Sequence, residues 1–376
     1  MVAKREALKK AKRIVVKVGT STLTYPNCKL KLHRIEQLVR ELADLANAGK
    51  EIVLVSSGAI AVGMDRMGLK VKPKEVPAKQ ALAAVGQGVL MHVYEKLFAE
   101  YGQIAAQVLL TKENSVRHHQ YRHSRSALLA LFDMGVIPVI NENDAVSVDE
   151  LKIGDNDTLS ATVATLVDAD LLIILSDIDG LYDANPQTHP EAKLISEVSE
   201  ITPEVERIAG GAGTATGTGG MHTKIQAAKI AMSSGVPMVI TSGEQDGMVR
   251  AILAGEEIGT LFPAKEQHLK VRKSWLAFGR SIEGDLVVDA GCARAMRERG
   301  SSLLPAGITA VYGEFAAGAT VRVMDPEGRE IARGVVNYAT AELCRIRGHR
   351  SQELAGLLDA EAPEEVIHRD NMVLLA

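Results

Sequence analysis

Over the first 260 residues or so, hydrophobic and polar positions exchange two periods. Short β-branched runs give way to longer stretches with a 3.6-residue apolar spacing, and the exchange repeats. The runs predict strands at 13–18 (RIVVKV), 51–55 (EIVLV), 104–110, 136–140 (VIPVI), 171–175 (LLIIL) and 237–241. Helical spacing predicts helices over 33–48 (closed by Gly49), 77–101, 114–132, 158–167, 225–233 and 247–253. Asn156 or Asp157 stands where the N-cap of the 158–167 helix belongs. The 171–175 run is apolar throughout, as a central parallel strand is. In the Ala-rich 77–101 helix, Gly86 and Gly88 would let a neighbouring element approach closely. Strand and helix alternating in this way predict parallel βαβ units. The fold class expected is α/β, a three-layer α/β/α sandwich with a mainly parallel sheet.

From about Gly279 the pattern changes. Strand-like runs at 284–288, 307–312, 319–324 and 330–336 are separated by turns such as Pro305-Ala306-Gly307 and Asp325-Pro326-Glu327-Gly328. A helix is expected over 351–358 and a final strand within 366–375. That spacing predicts a small, mostly antiparallel β domain. The boundary falls between 265 and 279, giving expected domains at 1–265 and 279–376.

Composition adds a few exclusions. At 376 residues, 46% hydrophobic and 24% charged, the chain suits a soluble globular protein of two domains. Cys28, Cys292 and Cys344 are scattered, with no CxxC or Cys/His spacing, which argues against disulfides and structural zinc. A reducing cytoplasm is the expected location. The N-terminal MVAKREALKKAKR is basic but is followed by no apolar core of a secretory signal. No run approaches the roughly 18 apolar residues of a membrane span. Net charge is −4, so nothing global points to nucleic acid. The tail has the same sign: from 274 to 376 there are 11 Arg and no Lys against 15 Asp plus Glu.

Candidate chemistry gathers at strand ends. Lys17 sits among apolar neighbours in the first strand, either as an edge residue or as a charge placed near the strand's end. Ser56-Ser57-Gly58 follows the second strand and opens a helix, as an anion-binding turn or as a simple N-cap. After the fourth strand, residues 141–160 (NENDAVSVDELKIGDNDTLS) hold Glu142, Asp144, Asp149, Glu150, Asp155 and Asp157 among asparagines, around Lys152. This stretch would select an ammonium group, hold a metal ion, or orient nearby lysines. Ser176 and Asp177 end the fifth strand. The glycine-rich run 210–220 leads through Met221, His222, Thr223 and Lys224 into a helix, where backbone N–H groups can approach phosphate oxygens. It is not a Walker A loop, since GxxxxGK[ST] occurs nowhere. His119 and His123 have a metal-compatible spacing but no HExxH pattern, and a solvated face is the expectation.

Ligands of open α/β sheets bind outside the carboxyl ends of the strands. Lys17, Ser57, 141–144 and Asp177 all lie there, and are expected to line one crevice under the glycine loop. The set contains no Ser-His-Asp pattern and no evident general base. Phosphoryl transfer needs positioning and positive charge more than covalent help. An acceptor carboxylate is already ionised at pH 7, with a reference pKa of about 4.3. Two lysines and Mg²⁺ would bring the two anions together.

Six ordered motifs carry a resemblance: VKVGTS at 16–21, SSGAI at 56–60, KQALAAVGQ at 79–87, NENDAV at 141–146, GDND at 154–157 and TGGMHTK at 218–224. Together they resemble the amino-acid kinase family, and within it the branch that phosphorylates the γ-carboxylate of L-glutamate. The tail resembles the PUA domain that bacterial members of that branch often carry. The resemblance implies ATP and Mg²⁺ as cofactors, L-glutamate as substrate, formation of L-glutamyl 5-phosphate for proline biosynthesis, feedback inhibition by proline, and a homo-oligomer. It implies that Lys17 contacts the transferring group, Lys224 the nucleotide phosphates, and that Asp157 orients the lysines. Ser57, Asp144 and Asn156 would bind glutamate. Ser176, Asp177 and the loop Thr218, Gly219, Gly220, Met221, His222, Thr223, Lys224 would meet the nucleotide. His222 stands where many relatives have a small hydroxyl residue. The alternatives are siblings. An aspartate kinase would want KFGGTS at the first strand, and acetylglutamate or carbamate kinases lack the β tail. From another class, the tail could make this an RNA-binding protein, which its negative charge disfavours.

Overall fold

The structure, a computed structural model, describes residues 2–111, 118–146, 156–186, 188–210, 220–264, 282–349 and 363–375. The chain divides into two compact units, Met1–His268 and Leu269–Ala376.

In the first unit the strands are β1 (Arg13–Val18), β2 (Glu51–Ser56), β3 (Ile104–Leu110), β4 (Val136–Glu142), β5 (Leu171–Ser176), β6 (Met238–Ser242) and β7 (Thr260–Phe262). They form one sheet in the order β3-β4-β2-β1-β5-β6-β7, parallel throughout except for β7, which runs antiparallel to β6. The helices are α1 (Val2–Leu8), α2 (Thr20–Leu23), α3 (Leu32–Asn47), α4 (Ala59–Arg66), α5 (Val76–Glu100), α6 (His118–Asp133), α7 (Asn156–Leu166), α8 (Pro203–Ala209), α9 (Met221–Ser233) and α10 (Met248–Leu253).

The site is set by strand period and strand order. Side chains alternate faces along a strand, so Ile14, Val16 and Val18 join Leu38, Leu42, Leu90 and Phe98 in one core layer. Lys17 therefore points to the other face, where α7 packs on β1 and α9 packs on α7. In register, Lys17 lies opposite Val55 of β2 and Ile174 of β5. The connections leaving β1 and β5 run to opposite sides of the sheet, so the carboxyl ends of these two strands bound a topological switch point.

On the first layer, α4 and α5 touch backbone to backbone. A Cβ on Gly86 would come 1.8 Å from the Ala59 carbonyl oxygen, and one on Gly63 2.0 Å from that of Leu82. Gly88, by contrast, faces open space and permits no such approach.

Three expectations need correction. Asn156 and Asp157 are the first two residues of α7 and not its N-cap. Both side chains are drawn away from the helix by partners on β1, β2, β4 and α9, described below. The strands β2, β4 and β5 run on into polar residues (Ser56, Glu142, Ser176) that hydrophobicity alone would leave outside. The short elements α1, α2, α8 and β7 have too few residues to show a period, and the sequence reading does not find them. The six residues before α6 and the 147–155 half of the acidic run lie outside the described residues, as do Asp149, Glu150, Lys152 and Asp155.

The second unit has its own core, including Leu286, Val288, Met296, Leu303, Val321, Ile331, Leu343 and Ile367. Strands β8 (Gly284–Val288), β9 (Ile308–Tyr312), β10 (Thr320–Met324), β11 (Glu330–Val335) and β12 (Met372–Leu374) form a sheet ordered β12-β11-β10-β8-β9. It is antiparallel except for the parallel pair β8/β10. Two helices unforeseen in the sequence join it, α11 (Ala290–Arg299) and α12 (Thr340–Ile346). The side chain of Asp289 caps α11 by accepting from Cys292 N at 2.7 Å. The helix expected over 351–358 lies outside the described residues. Among the described residues, no helix is long and apolar enough to cross a membrane.

Candidate active site

A lysine inside a buried parallel strand needs a partner, because desolvating an ammonium without one is prohibitive. Lys17 finds it in Asp157: Nζ lies 2.6 Å from Oδ1, and Asp157 is 1% exposed. The other oxygen, Oδ2, is 3.2 Å from Lys224 Nζ in the first turn of α9, and accepts from Thr223 Oγ1 at 2.7 Å. One carboxylate at the start of α7 thus gathers two ammonium groups from β1 and α9. Burial by itself would raise the Asp157 carboxyl. Lys17, Lys224 and the hydrogen bonds from Lys17 and Thr223 outweigh it and hold the group far below the usual carboxylate range. The Lys17–Asp157–Lys224 triad carries a net charge of +1 in a nearly solvent-free position. α9 adds to it: its N-cap is Gly220, with no capping side chain, and the N-terminus of a helix favours an anion. The position a Gly19 side chain would occupy lies 3.7 Å from Lys17 Nζ and 3.8 Å from the Leu175 carbonyl oxygen, so Gly19 keeps space open between the ammonium and the end of β5.

The neighbouring residue builds the second half of the site. Asn156 Nδ2 lies within hydrogen-bond reach of Ser57 Oγ (2.9 Å), Asn141 Oδ1 (2.9 Å) and the Ser56 carbonyl oxygen (3.0 Å). The same Asn141 oxygen accepts from Glu142 N at 2.9 Å, while Asn141 Nδ2 donates to Gln87 Oε1 of α5 at 2.8 Å. Ser56 Oγ pairs with the fully buried Tyr94 hydroxyl at 2.9 Å, fixing the end of β2 against α5. This network leaves one acceptor over: Asn156 Oδ1 is buried and has no hydrogen-bond partner among the described residues. An unsatisfied buried acceptor costs about 1–3 kcal/mol, so the site is poised for a ligand donor.

Asp144 lies just beyond β4. Burial and then the Glu142 carboxylate push it up to about 7, against the pull of Lys72. Ser176 ends β5 and donates from Oγ to Asp177 Oδ1 at 3.0 Å, while its carbonyl accepts from Gly243 N at 2.6 Å. The loop carrying Gly243 is held in turn by the buried Arg34 of α3, which donates to the carbonyls of Gly243 and Gln245.

The structure therefore joins Lys17, Asp157, Thr223 and Lys224 in one cluster, and Ser57 and Asn156 in another, linked through adjacent residues of α7. Asp144, Ser176 and Asp177 stand at the ends of β4 and β5, and His222 is exposed on the first turn of α9. Thr218, Gly219 and the rest of the glycine run through 219 lie outside the described residues, as does the side chain of His119. Sequence reasoning placed Asn141 in the crevice without its partners, and missed Gln87 and Arg34. The signal for Gln87 was present, a lone amide in the Ala- and Gly-rich AAVGQG of α5. Among the described residues no group of three or more His, Cys, Asp and Glu could hold a metal.

Residues 12–242 match the family model described as "Amino acid kinase family", and residues 284–358 match "PUA domain". A curated glutamate 5-kinase from Moorella thermoacetica is 54% identical over 371 residues, covering 99% of this chain and 98% of that one. Glutamate 5-kinases from Carboxydothermus hydrogenoformans and Caldanaerobacter subterraneus subsp. tengcongensis are each 53% identical, covering 99% and 96% of this chain and 100% and 98% of their own.

Proposed function

The chain belongs to the amino acid kinase family, and on that premise we propose its reaction in full: transfer of the γ-phosphoryl group of ATP to the γ-carboxylate of L-glutamate. The product is L-glutamyl 5-phosphate, and the step is the first of proline biosynthesis. The observation that carries this reading is the buried Lys17–Asp157–Lys224 triad, a site of net positive charge. Near-full-length identity above 50% to glutamate 5-kinases supports the choice of substrate.

The residues divide the work by charge. Asp157 stays ionised and holds both lysines in place. Lys17, at the end of β1, faces the group in transfer. Lys224 and the N–H groups opening α9 face the nucleotide phosphates, with Gly220, Met221, His222 and Ser176-Asp177 beside them. The bond from the γ-phosphorus to the β-phosphate oxygen breaks as one to the carboxylate oxygen forms, and ADP leaves. Since the carboxylate is ionised at pH 7, no residue has to remove a proton. Preorganised positive charge where the two anions meet is the main contribution of the protein.

Glutamate binds at the amide cluster. Its ammonium supplies the donor that Asn156 Oδ1 lacks and a counter-charge for Asp144, and Ser57 Oγ adds a further contact. Two ammonium groups around one carboxylate fit a polyanion. No protein cage for a metal is formed by the described residues, so Mg²⁺, which supplies charge neutralisation on the phosphates, would be held chiefly by those phosphates. The proposal extends to feedback inhibition by proline, a homo-oligomer, a cytoplasmic location, a catalytic domain at 1–265 and a PUA-like domain at 279–376.

Trapping with hydroxylamine tests the reaction: glutamate and ATP should yield glutamyl hydroxamate in step with ADP. ATP turnover that depends on aspartate or N-acetylglutamate, with no glutamyl hydroxamate, would overturn it.

A further inference from the structure

Asn156 is useful to the substrate only in one of its two amide orientations, because the proposed role requires Oδ1, and not Nδ2, to face the ligand. What sets that orientation is legible in the hydrogen bonds. The Ser56 carbonyl can only accept, so it draws the Asn156 amide nitrogen at 3.0 Å. The second acceptor, Asn141 Oδ1, is an acceptor only while Asn141 itself is held one way round. Two contacts hold it: Glu142 N donates to Oδ1, and Asn141 Nδ2 donates to Gln87 Oε1. Turned over, Asn141 would set its amide nitrogen against both the Glu142 N–H and the Asn156 NH₂. The side chains of Asn141 and Asn156 are 3% and 6% exposed as residues, so water does not take over these bonds freely.

Gln87 is the outer end of this relay, half-buried on α5, and α5 is brought there by the glycine beside it. Gly86 lets the helix close on the first turn of α4, with a would-be Cβ only 1.8 Å from the Ala59 carbonyl oxygen. Residues 86 and 87 thus act together, one by approach and the other by hydrogen bond. We propose that Gln87 is a positioning residue for the substrate amino group: by accepting from Asn141 Nδ2 it fixes the Asn141 amide, and through it the Asn156 amide whose Oδ1 receives the ligand. It touches no substrate atom. The inference rests on the glutamate-binding role proposed for Asn156.

The test is a double-mutant cycle on the full chain, read on KM for glutamate and KM for ATP. Gln87→Leu keeps the side chain's bulk and removes the acceptor. It raises glutamate KM about tenfold, the scale of one orienting hydrogen bond, and leaves ATP KM within about twofold. In an Asn141→Ala background the same substitution has almost no further effect, because the relay is already cut. Gln87→Glu, which keeps an acceptor oxygen at the same reach, restores glutamate KM to within about threefold of the parent. The proposal is overturned if Gln87→Leu leaves glutamate KM unchanged, moves both KM values alike, or adds its full effect to Asn141→Ala. It is also overturned if Gln87→Glu is as impaired as Gln87→Leu, a comparison that stands even where the leucine variant folds poorly. Should the parent chain use another amino acid, the functional reading fails, and the same cycle on that amino acid's KM still judges Gln87.

Discussion

At the scale of single residues, the site works by placing ionisable groups where their charge state is decided by neighbours. Asp157 is the fixed case: two ammonium groups hold it ionised despite complete burial. Removing one partner of such a cluster leaves a buried charge uncompensated, which is why the lysines and the aspartate act as a unit. Asp144 is the adjustable case, pushed up to about 7 by burial and Glu142. In the proposed role it meets the substrate ammonium as a carboxylate, so proton and substrate would compete for it. Glutamate KM is therefore expected to rise several-fold between pH 7.5 and about pH 6, with ATP KM nearly flat. In Asp144→Asn, glutamate KM should be higher and lose that pH dependence. Stability follows the same sign. The folded pKa lies above the ordinary 3.8, so ionisation costs stability in full above about pH 7, and the cost fades as pH falls toward 3.8. Asp144→Asn should raise the Tm at pH 8 more than at pH 5. An unaltered pH profile of glutamate KM in the variant would show that Asp144 does not meet the ammonium.

At the scale of elements, the informative contrast is between two glycines of one helix. Both read alike in the sequence, as small residues in the Ala-rich α5. Only Gly86 meets backbone, the Ala59 carbonyl oxygen and the Gly63 nitrogen, neither of which can rotate away. Gly86→Ala is expected to destabilise the first unit by about 2 kcal/mol or more, the range of overpacking, and to raise glutamate KM through the displaced Gln87. Gly88→Ala meets nothing within 4 Å and should leave stability equal or raised by up to about 1 kcal/mol, the helix preference for Ala over Gly. Urea midpoints of the two variants decide it. Equal midpoints would mean that α4 and α5 slide apart without penalty. The longer elements were legible because period and punctuation agreed: β1 and β3 stand where the apolar runs put them, and Gly49, with φ of +84°, lies just past α3 as a terminating glycine does. The caps of α7 were not legible, since Asn156 and Asp157 carry N-cap chemistry but spend it on other elements.

At the scale of the molecule, two units with separate cores share one chain. Every site residue named above lies in the first. In the tail, four of the 11 arginines pair with carboxylates of their own unit: Arg297 and Arg329 with the buried Asp325, Arg322 with Asp285, Arg333 with Glu330. These pairs, with the excess of acid over base in that segment, weigh against the displacement of counterions from nucleic acid. A chain ending near Gln267 is expected to keep glutamate-dependent turnover within a few-fold, and the tail to act on assembly or on inhibition by proline. Loss of turnover in a folded truncated chain, or tight salt-sensitive RNA binding by the tail, would contradict this. The sequence by itself determined the layers, the mainly parallel sheet, the presence of a second, β-rich unit in the tail and the candidate groups at strand ends. All of these follow from local periodicity and from which residue types tolerate the end of a strand. The period of two even assigns Lys17 to the face opposite Val16 and Val18. Only the tertiary structure decided which groups meet. The order β2-β1-β5 sets the start of α7 over the end of β1, and the packing of α9 on α7 brings Lys224 to the second oxygen of Asp157. Those partners lie far apart in the chain, and hydrogen-bond geometry at 2.6–3.2 Å is fixed by how elements pack, which no local pattern encodes.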